Sequence, residues 1–409
     1  MLLSLLISAC LLQASDVIHP QSLLFKMFAK KALTLTALLS VALAKPTPSS
    51  SDNSTSSSNE TTTPVKPKVI LDNDWSPAGF LPYAQALSAG WDVLGVTSST
   101  ANTWARQTAY HALATLERGN LSCIPVFKGS DYPLLNTPKL FQAWEEVHGM
   151  LAWEGAFAPE NSSTENPDPT SGNPDRLVRS AFTAGFPNTT VQDISAAEFL
   201  VQSVRKYPGQ VSIYAAGALT NIALAIRIDA NFAANARELI IMGGYLDTNL
   251  LQTTGSVLLA DLQSDINLMI DPEAAKIALT ADWRNVTVTG NVANQVLIGP
   301  EFFGAMANQT SNAYTEILAT YPTQFPLWDE TAAALMVEPS LATNVTEFYV
   351  DVDTSYASPT YGNIHAYQEA LKPAAQDLKK IRYVVEVDEE GVKETVRRAV
   401  LEPVSCADF

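Results

Sequence analysis

Short apolar runs alternate with stretches of helical period along most of the chain. Strands are expected where a run of apolar residues is bounded by polar or turn residues, and helices where apolar residues recur every three to four positions. The predicted strands are residues 69–71, 93–96, 124–127, 211–214, 239–242 and 286–288, and the first two predicted helices are residues 80–87 and 104–116. This alternation predicts βαβ units, and therefore the α/β class with an open, mostly parallel sheet flanked by helices.

Two regions depart from this alternation. Residues 132–188 are rich in proline, asparagine, glycine, tryptophan and acidic residues and have weak periodicity, which is typical of a functional lid or a disordered insertion. Near the C-terminus, residues 383–387 predict an edge strand and residues 389–401 predict an amphipathic helix. The domain is therefore expected to close with a strand and a helix.

The start of the chain is predicted to lie outside the folded domain, which spans residues 67–409. Within the signal region 1–44, a basic start followed by a short apolar run over residues 27–44 is typical of a secretory signal peptide. The apolar runs of this region fall short of the roughly 20 residues that cross a bilayer. Residues 45–66 are rich in serine, threonine and proline and predict a disordered linker.

Composition narrows the class of partner. The chain has 47% hydrophobic and 16% charged residues, which is typical of a globular protein. Its formal net charge of -17 argues against a nucleic acid or an anionic membrane as the partner of the mature protein, because both require a basic surface. A small neutral ligand or a cation is therefore the expected partner, and a homo-oligomer is compatible with the sequence.

Asparagines in the pattern Asn-x-Ser/Thr recur along the chain, at Asn53, Asn59, Asn120, Asn161, Asn188, Asn285, Asn308 and Asn344. Together they predict passage through a glycosylating pathway, and therefore a secreted, extracellular glycoprotein. After removal of the signal region, Cys123 and Cys406 remain. They predict either one disulfide or two buried free thiols, and the sequence alone leaves both open.

Three acidic residues are the strongest candidates for chemistry. Asp72 and Asp74 follow the first predicted strand, and Asp329 lies far downstream in Pro-Leu-Trp-Asp-Glu. The carboxyl ends of parallel strands face the crevice where open α/β sheets bind ligands. Carboxylates there suit a hard cation such as Ca²⁺, which takes about 6 to 8 oxygen ligands at roughly 2.4 Å. An aspartate that caps a turn would give the same local pattern without any ligand.

Further motifs follow in order along residues 68–401: Asn102 after Ser-Thr-Ala, Thr220 in Leu-Thr-Asn-Ile-Ala, Met242-Gly243-Gly244, Asn267 shortly before Asp271-Pro272, and Trp328-Asp329. Each of them alone is explained by a tight turn or a helix cap. In this order, and together with the acidic motif of the first strand, they resemble the inosine-uridine preferring nucleoside hydrolase family. The resemblance covers most of the mature chain.

The resemblance implies a hydrolase that cleaves the N-glycosidic bond of ribonucleosides and uses one bound Ca²⁺. By the same resemblance, Asp74 is expected to be both a metal ligand and the catalytic base. Asp329 and the carbonyl of Thr220 are expected to complete the protein ligands, and Asp72 to support the first-strand loop of the metal site. The chemistry agrees, because glycosyl cleavage needs negative charge near the sugar and an activated water.

On the substrate side, the resemblance implies that Asn102, Asp265 and Asn267 contact the sugar. The family often has a histidine before its last metal ligand, where this chain has Trp328. An indole cannot act as a general acid near neutral pH, although it can stack on a base or a sugar. His148 in the irregular region is the remaining candidate for the acid, and a surface histidine in a loop is the alternative.

The first-strand motif departs from the family pattern. The family has Asp-x-Asp-Pro-Gly-x-Asp-Asp-Ala, whereas this chain has Asp72-Asn-Asp74-Trp-Ser-Pro-Ala78-Gly79-Phe. Ala78 and Gly79 therefore replace two expected carboxylates, and calcium affinity follows the charge and number of ligands. Two hypotheses result. One is a hydrolase with a weakened or altered calcium site, and the other is a non-catalytic secreted glycoprotein that retains the fold to bind a nucleoside or a sugar.

Overall fold

A sheet of nine strands organises the part of the chain that the structure describes. The computed structural model describes residues 66–160, 168–248, 263–320 and 325–409. The strands are β1 (Lys68–Asn73), β2 (Asp92–Ser98), β3 (Val126–Phe127), β4 (Val211–Ala216), β5 (Glu238–Ile241), β6 (Val286–Val288), β7 (Leu297–Ile298), β8 (Phe325–Pro326), β9 (Ala342–Val352), β10 (Ile364–Tyr367) and β11 (Lys379–Val387). The large sheet has the order β10-β9-β11-β6-β5-β4-β1-β2-β3, and β7 and β8 form a separate pair.

Most strands of the large sheet are parallel. β1 pairs in parallel with β2 and β4, and the parallel arrangement continues through β5 and β6 to β11. Within the large sheet, β9 lies between β10 and β11 and is antiparallel to both of them. The prediction of an open, mostly parallel α/β sheet is therefore confirmed. Asn73 at the end of β1 is level with Ser98 of β2 and Ala216 of β4, so three carboxyl ends meet at one edge.

Helices alternate with the strands along the chain. They are α1 (Leu81–Ser88), α2 (Ala105–Arg118), α3 (Pro138–His148), α4 (Ala196–Lys206), α5 (Thr220–Ile228), α6 (Phe232–Asn235), α7 (Ile266–Ile270), α8 (Pro272–Leu279), α9 (Gly290–Ala293), α10 (Glu301–Gln309), α11 (Ala313–Leu318), α12 (Trp328–Val337) and α13 (Glu389–Leu401). Short 3-10 turns lie at Gly155–Phe157, Arg179–Ala181, Pro339–Leu341, Glu369–Leu371 and Cys406–Asp408.

Apolar clusters cover both faces of the sheet. Val69 and Leu71 of β1 pack in one cluster with residues of α1, α12 and α13, whereas Ile70 packs in another with residues of α4, α5 and α8. Successive side chains of a strand point to opposite faces, so a strand buried on both faces is a continuous apolar run. This explains why the first strand was recognisable in the sequence as Val-Ile-Leu.

The C-terminal part of the sheet differs from the prediction. Residues 383–387 do belong to a strand, but β11 lies between β9 and β6, so the prediction of an edge strand is wrong. The edge is formed by β10, which pairs antiparallel with β9. Neither strand was predicted, because β9 mixes polar and apolar positions and is largely exposed in its first half.

The irregular region contains one regular helix that the sequence pattern did not predict. In α3, the side chain of Thr137 accepts a hydrogen bond from the backbone N–H of Leu140, and Pro138 occupies the first turn. Both are common signals of a helix start. Only Phe141, Trp144 and Glu145 of this helix are buried, so its apolar stripe is narrow and its periodicity weak.

A disulfide joins Cys123, just before β3, to Cys406 near the end of the chain. The alternative of two free thiols is therefore wrong. The backbone N–H of Cys406 also donates to the carbonyl of Asn120 at 3.0 Å, which fixes the end of the chain beside the end of α2.

The predicted signal region 1–44 and the sequons at Asn53, Asn59 and Asn161 lie outside the described residues, as does nearly all of the predicted linker 45–66. The remaining sequon asparagines are all exposed, at Asn120, Asn188, Asn285, Asn308 and Asn344. Over the ranges that the structure describes, no helix combines the length and apolar character needed to cross a membrane.

Candidate functional site

The predicted acidic residues meet at the carboxyl end of β1. Asp72 and Asp74 flank Asn73, so their side chains point to the same side of the strand end. The Nδ2 of Asn73 donates a hydrogen bond to Oδ2 of Asp329 at 3.0 Å, although the two residues are 256 positions apart. The hydroxyl of Tyr214 in β4 donates to the backbone carbonyl of Asp329 at 2.9 Å. The start of α12 is thus fixed against the central strands.

Asp72 is fully buried, and only one of its two carboxylate oxygens has hydrogen-bond partners. Its Oδ2 accepts hydrogen bonds from Thr97 Oγ1 at 2.5 Å and from Asn221 Nδ2 at 2.7 Å. Its Oδ1 is buried and has no hydrogen-bond partner. Burial raises the pKa of this carboxyl to about 6, against the lowering effect of the two hydrogen bonds. The residue therefore ties β1 to β2 and α5 and offers one unused oxygen.

Asp74 is also buried, and its Oδ2 accepts a hydrogen bond from the backbone N–H of Asn102 at 2.7 Å. Burial raises the pKa of Asp74 well above its ordinary value, and repulsion from Asp329 and from Asp72 adds to this effect. Burial also raises the pKa of Asp329. These carboxyls favour either a proton or a cation, because close buried negative charges are costly when nothing compensates them.

Glu330, next to Asp329 in α12, is a further buried acid of this cluster. Burial, followed by repulsion from Asp329, raises the pKa of its carboxyl to about 8. Its backbone carbonyl accepts a hydrogen bond from Gln85 Nε2 at 3.1 Å. The residue is therefore neutral over much of the neutral pH range when no cation is bound.

The turn after β4 approaches the acids closely because it contains Gly217. A Cβ at this position would lie 2.2 Å from Ser99 Oγ, 3.1 Å from the backbone nitrogen of Asp74 and 3.3 Å from Asp74 Cβ. Any side chain there would collide with these atoms. The ends of β2, β1 and β4 can thus meet only because this turn carries no side chain.

The beginning of α5 is anchored to several strands. Asn221 Nδ2 donates to the carbonyl of Ser98 at 2.8 Å as well as to Asp72, and its Oδ1 accepts from the backbone N–H of Ser130 at 3.0 Å. The hydroxyl of Thr220 donates to Asp271 Oδ2 at 2.7 Å. Thr220 is therefore held at the same edge as the acids, with its side chain turned towards the start of α8.

The residues proposed for the sugar lie at the ends of two strands, β2 and β5, which β1 and β4 separate in the sheet. Asn102 contacts Asp74 through its backbone, and its Oδ1 accepts a hydrogen bond from Trp153 Nε1 at 3.0 Å. Asp265 caps α7, and its Oδ1 accepts from the backbone N–H of Asn267 at 2.9 Å. Asn267 Nδ2 donates to the carbonyl at position 242, just beyond β5, at 3.2 Å. Asp271, which follows α7, accepts the hydrogen bond of Thr220 at the start of α5.

The segment after Asp74 is an apolar turn. The backbone N–H of Gly79 donates to the carbonyl of Ser76 at 3.0 Å, and a Cβ at position 79 would lie 2.8 Å from the backbone nitrogen of Ser76. Trp75 and Ala78 are buried, and the indole of Trp75 donates to the carbonyl of Thr97 at 2.7 Å. An aspartate at position 79 would require the turn to change.

The two candidates for the leaving-group side, Trp328 and His148, contact different parts of the chain. Trp328 Nε1 donates to Asn294 Oδ1 at 2.7 Å, and its ring stacks with Phe325. His148 is the last residue of a regular helix, not part of an irregular loop, and its ring centroid lies 5.0 Å from that of Trp144. None of the hydrogen bonds of the acidic residues described above involves His148.

Several residues that contribute to the site were not predicted from the sequence. Asn73 and Tyr214 hold the start of α12, Asn221 connects three strands, and Glu330 adds a buried acid. Asn221 carried a sequence signal, because it stands in the Thr-Asn pair after a glycine turn, but a helix cap explained that pair equally well. Ser99 carried none, since a serine at a strand end is common.

The carboxylate oxygens at this edge are of the type that a divalent cation binds, but few of them are present. Among the described residues, no group of three or more carboxylate, imidazole or thiol side chains is arranged to hold a metal ion. However, Asp329 raises the pKa of Asp74, and a cation beside both carboxylates would relieve this repulsion. The buried, unpaired Oδ1 of Asp72 is a further oxygen that such an ion could use.

Carboxylates at the carboxyl edge of an open parallel sheet are typical of α/β proteins that bind polar ligands at their strand ends. The family model described as inosine-uridine preferring nucleoside hydrolase matches residues 69–394. The chain belongs to this family.

Relatives and solved structures agree with this assignment. An uncharacterized protein of Schizosaccharomyces pombe is 36% identical over 321 residues, which cover 75% of this chain and 78% of that protein. Uridine nucleosidase 1 of Arabidopsis thaliana is 29% identical over 237 residues, which cover 57% of this chain and 59% of that protein. The structure of a plant nucleoside hydrolase aligns with a TM-score of 0.62 at 21% identity, over 83% of this chain and 100% of that one. The fold is therefore that of nucleoside hydrolases.

Proposed function

We propose that the protein is a hydrolase that cleaves the N-glycosidic bond of ribonucleosides or a related N-riboside, with an altered calcium site. One observation carries this proposal: the Asn73–Asp329 hydrogen bond places Asp329 beside the end of β1, where its charge raises the pKa of Asp74. The family and the fold support a ribonucleoside hydrolase function. A uridine nucleosidase among the relatives supports a ribonucleoside as the substrate class.

The acids suit the chemistry of this reaction. Cleavage passes through a cation-like state of the sugar, so a site with concentrated negative charge stabilises it. A carboxylate must also take a proton from the attacking water. We assign this role to Asp74, because it is buried at the end of β1 and the backbone N–H of Asn102 orients its carboxylate.

A calcium ion, when bound, would orient the water and the sugar hydroxyls. Asp74, Asp329 and the carbonyl of Thr220 are the proposed ligands, with Asp72 beside them. The absence of carboxylates at positions 78 and 79 leaves fewer negative charges for the ion, and we therefore propose weak calcium binding.

Asn102, Asp265 and Asn267 are proposed to contact the ribose. Trp328 is proposed to stack on the base or the sugar, and His148 to act as the acid for the leaving base. The contact of Trp153 with Asn102 supports this arrangement, because it brings the segment after α3 beside the sugar residues.

We propose that the protein is secreted and N-glycosylated. The exposure of every described sequon asparagine and the disulfide between Cys123 and Cys406 support this proposal. Disulfides persist in oxidising compartments such as the secretory pathway.

The proposed activity is tested with the protein expressed from Lys45 onward and a panel of ribonucleosides, by following release of free base with and without Ca²⁺. Asp74→Asn is expected to lower kcat by about 10²- to 10⁴-fold, the usual contribution of a general base. Its melting temperature is expected to equal or exceed that of the wild type, because a buried charge is removed. Asp377→Asn, at an exposed position, is the matched control. Unchanged turnover by Asp74→Asn would exclude this aspartate as the base.

A non-catalytic nucleoside- or sugar-binding glycoprotein is the second candidate. It is favoured by the apolar turn of Trp75 and Ala78, which occupies the place of two carboxylates. This candidate predicts that calorimetry detects binding of a ribonucleoside while no base is released at any calcium concentration. Base release that depends on Asp74 would exclude it.

A further inference from the structure

Two buried oxygens at the end of β1 have no hydrogen-bond partner. They are Oγ of Ser99, a residue only 1% exposed, and Oδ1 of Asp72, a residue 0% exposed. Unpaired polar atoms are rare in protein interiors, and each one requires an explanation such as an unseen ion or water. Both residues lie close to Asp74, because Ser99 Oγ and Asp74 Cβ both adjoin Gly217 and Asp72 precedes Asp74 by two positions.

The position of Ser99 follows from the pairing of the strands. Its backbone N–H donates to the carbonyl of Asn73 at 3.0 Å, just beyond the last residue of β2. Its hydroxyl packs against Gly217 at the end of β4, where the same glycine also packs against Cβ and the backbone of Asp74. The hydroxyl therefore lies between the ends of β2 and β4, beside the end of β1, which carries the acids.

The neighbouring serine shows that burial alone does not leave a hydroxyl unpaired in this loop. Ser98 is equally buried, but its Oγ donates to the carbonyl of Ala105 at 2.8 Å and accepts from the backbone N–H of Gly129 at 3.1 Å. The two residues thus differ in one respect. Ser98 is a structural hydroxyl with two partners, whereas Ser99 has none within the described residues.

The chain needs additional oxygens at this point if a cation binds. The turn at Ala78 and Gly79 provides no carboxylate, and Gly79 has no room for a side chain without a shift of the backbone at Ser76. Hard cations take hydroxyl and carboxylate oxygens alike, and the loss of charged ligands lowers affinity without abolishing coordination.

We propose that the hydroxyl of Ser99, together with Oδ1 of Asp72, binds the cation in place of the carboxylates that are absent at positions 78 and 79. This inference rests on the proposed cation site at Asp74 and Asp329. It assigns to Ser99 the role of an uncharged ligand, and it explains why a hydroxyl without a partner is retained beside the acids.

The test compares Ser99→Ala with Ser98→Ala in the full secreted chain, after removal of metal with a chelator. Calcium alone is titrated in a calorimeter, and the melting temperature is measured without calcium. Ser99→Ala is expected to weaken calcium binding about tenfold, a typical loss for a supporting group of a metal site. Its metal-free melting temperature is expected to stay the same or rise, because no hydrogen bond is lost. Ser98→Ala is expected to bind calcium as the wild type does and to melt at a lower temperature.

Equal calcium affinity of Ser99→Ala and wild type would overturn the inference, as would a folded wild-type protein that binds no calcium. Neither result decides the proposed hydrolase activity. Base release by a wild-type protein that binds no calcium would leave the hydrolase proposal intact and reject only the role of Ser99. Loss of calcium binding in Ser99→Ala without any base release by the wild type would support the ligand role and reject the enzyme.

Discussion

Burial decides the charge of the acidic residues at the candidate site. It is the largest cause of the raised pKa of Asp72, Asp74, Asp329 and Glu330. A carboxyl in such a place stays neutral unless hydrogen bonds or a cation stabilise its charged form. Burial therefore favours the protonated form of these carboxyls when no cation compensates their charge.

This arrangement predicts that the metal-free protein loses stability as the pH rises. The pKa of Glu330 is raised from 4.5 to about 8 in the folded state, and that of Asp72 from 3.8 to about 6. Groups with a raised folded pKa contribute stability that is complete below the unfolded pKa and disappears as the pH passes the folded pKa. The melting temperature without calcium is expected to fall between about pH 5 and pH 8.

Glu330→Gln tests the residue that is expected to contribute most to this loss of stability with rising pH. The neutral amide removes the cost of charging, so we expect the variant to be more stable than the wild type at pH 8 by about 1 to 3 kcal/mol. Its melting temperature should depend less on pH, as measured by thermal unfolding in a chelator-containing buffer. Glu402→Gln, at an exposed position after α13, is the control and should follow the wild type. A Glu330→Gln curve parallel to that of the wild type would contradict the prediction.

At the scale of elements, the connection between β4 and α5 holds the site together. Its glycine admits Ser99 and Asp74, and Asn221 in the first turn of α5 connects β1, β2 and the chain after β3. One short turn thus contacts all the strand ends that carry the candidate residues at the centre of the sheet. A change in this turn should affect stability and activity together.

Gly217→Ala is expected to destabilise the protein by about 1 to 3 kcal/mol and to lower kcat/KM at least about tenfold, because the new methyl group collides with Ser99 Oγ and forces β4 away from β1. Urea unfolding and base release measure the two effects. Gly304→Ala in α10 is the matched control, since nothing lies within 4 Å of a Cβ there. That change should be neutral or stabilise by up to about 1 kcal/mol. Equal effects of the two substitutions would show that the close approach at Gly217 is unimportant.

Elements with a clear pattern of apolar positions could be predicted from the sequence. Elements that mix polar and apolar positions could not. β1 contains the apolar run Val-Ile-Leu, β6 is buried throughout, and α13 spans the residues predicted for it. β9 and β10 form an antiparallel addition whose strands are partly exposed, so their polar positions concealed them. The placement of β11 inside the sheet could not be predicted without them.

For the whole molecule, the motif order predicted which residues would meet but not which of their polar atoms would find hydrogen-bond partners. The proximity of Asp329 to the end of β1 was expected from the resemblance to the family and not from strand topology, because Asp329 follows β8, which lies outside the large sheet. The unpaired hydroxyl of Ser99 and the buried Glu330 depend on packing between segments distant in sequence, which no local pattern encodes. The roles of His148 and Trp328 stay predictions.

The disulfide should stabilise the molecule without affecting the reaction. Cys123 precedes β3 and therefore lies at the amino end of the parallel strands, opposite the edge that carries the acids. Replacing Cys123 and Cys406 together by serine is expected to lower the free energy of unfolding by about 2 to 5 kcal/mol. Urea unfolding measures this change, and kcat of the folded variant should equal that of the wild type. An unchanged unfolding midpoint, or a folded variant with altered kcat, would contradict the prediction.

The position of β1 between β2 and β4 has a consequence for biosynthesis. The first strand to leave the ribosome acquires one of its two neighbours only when Val211–Ala216 has been made, and Asp329 emerges later still. Contacts between segments so distant in sequence slow folding, and the folding intermediates expose apolar surface. A chain truncated before Asp329 would therefore lack one carboxylate of the candidate site, and the unpaired edge of β1 would stay exposed until β4 has been synthesised.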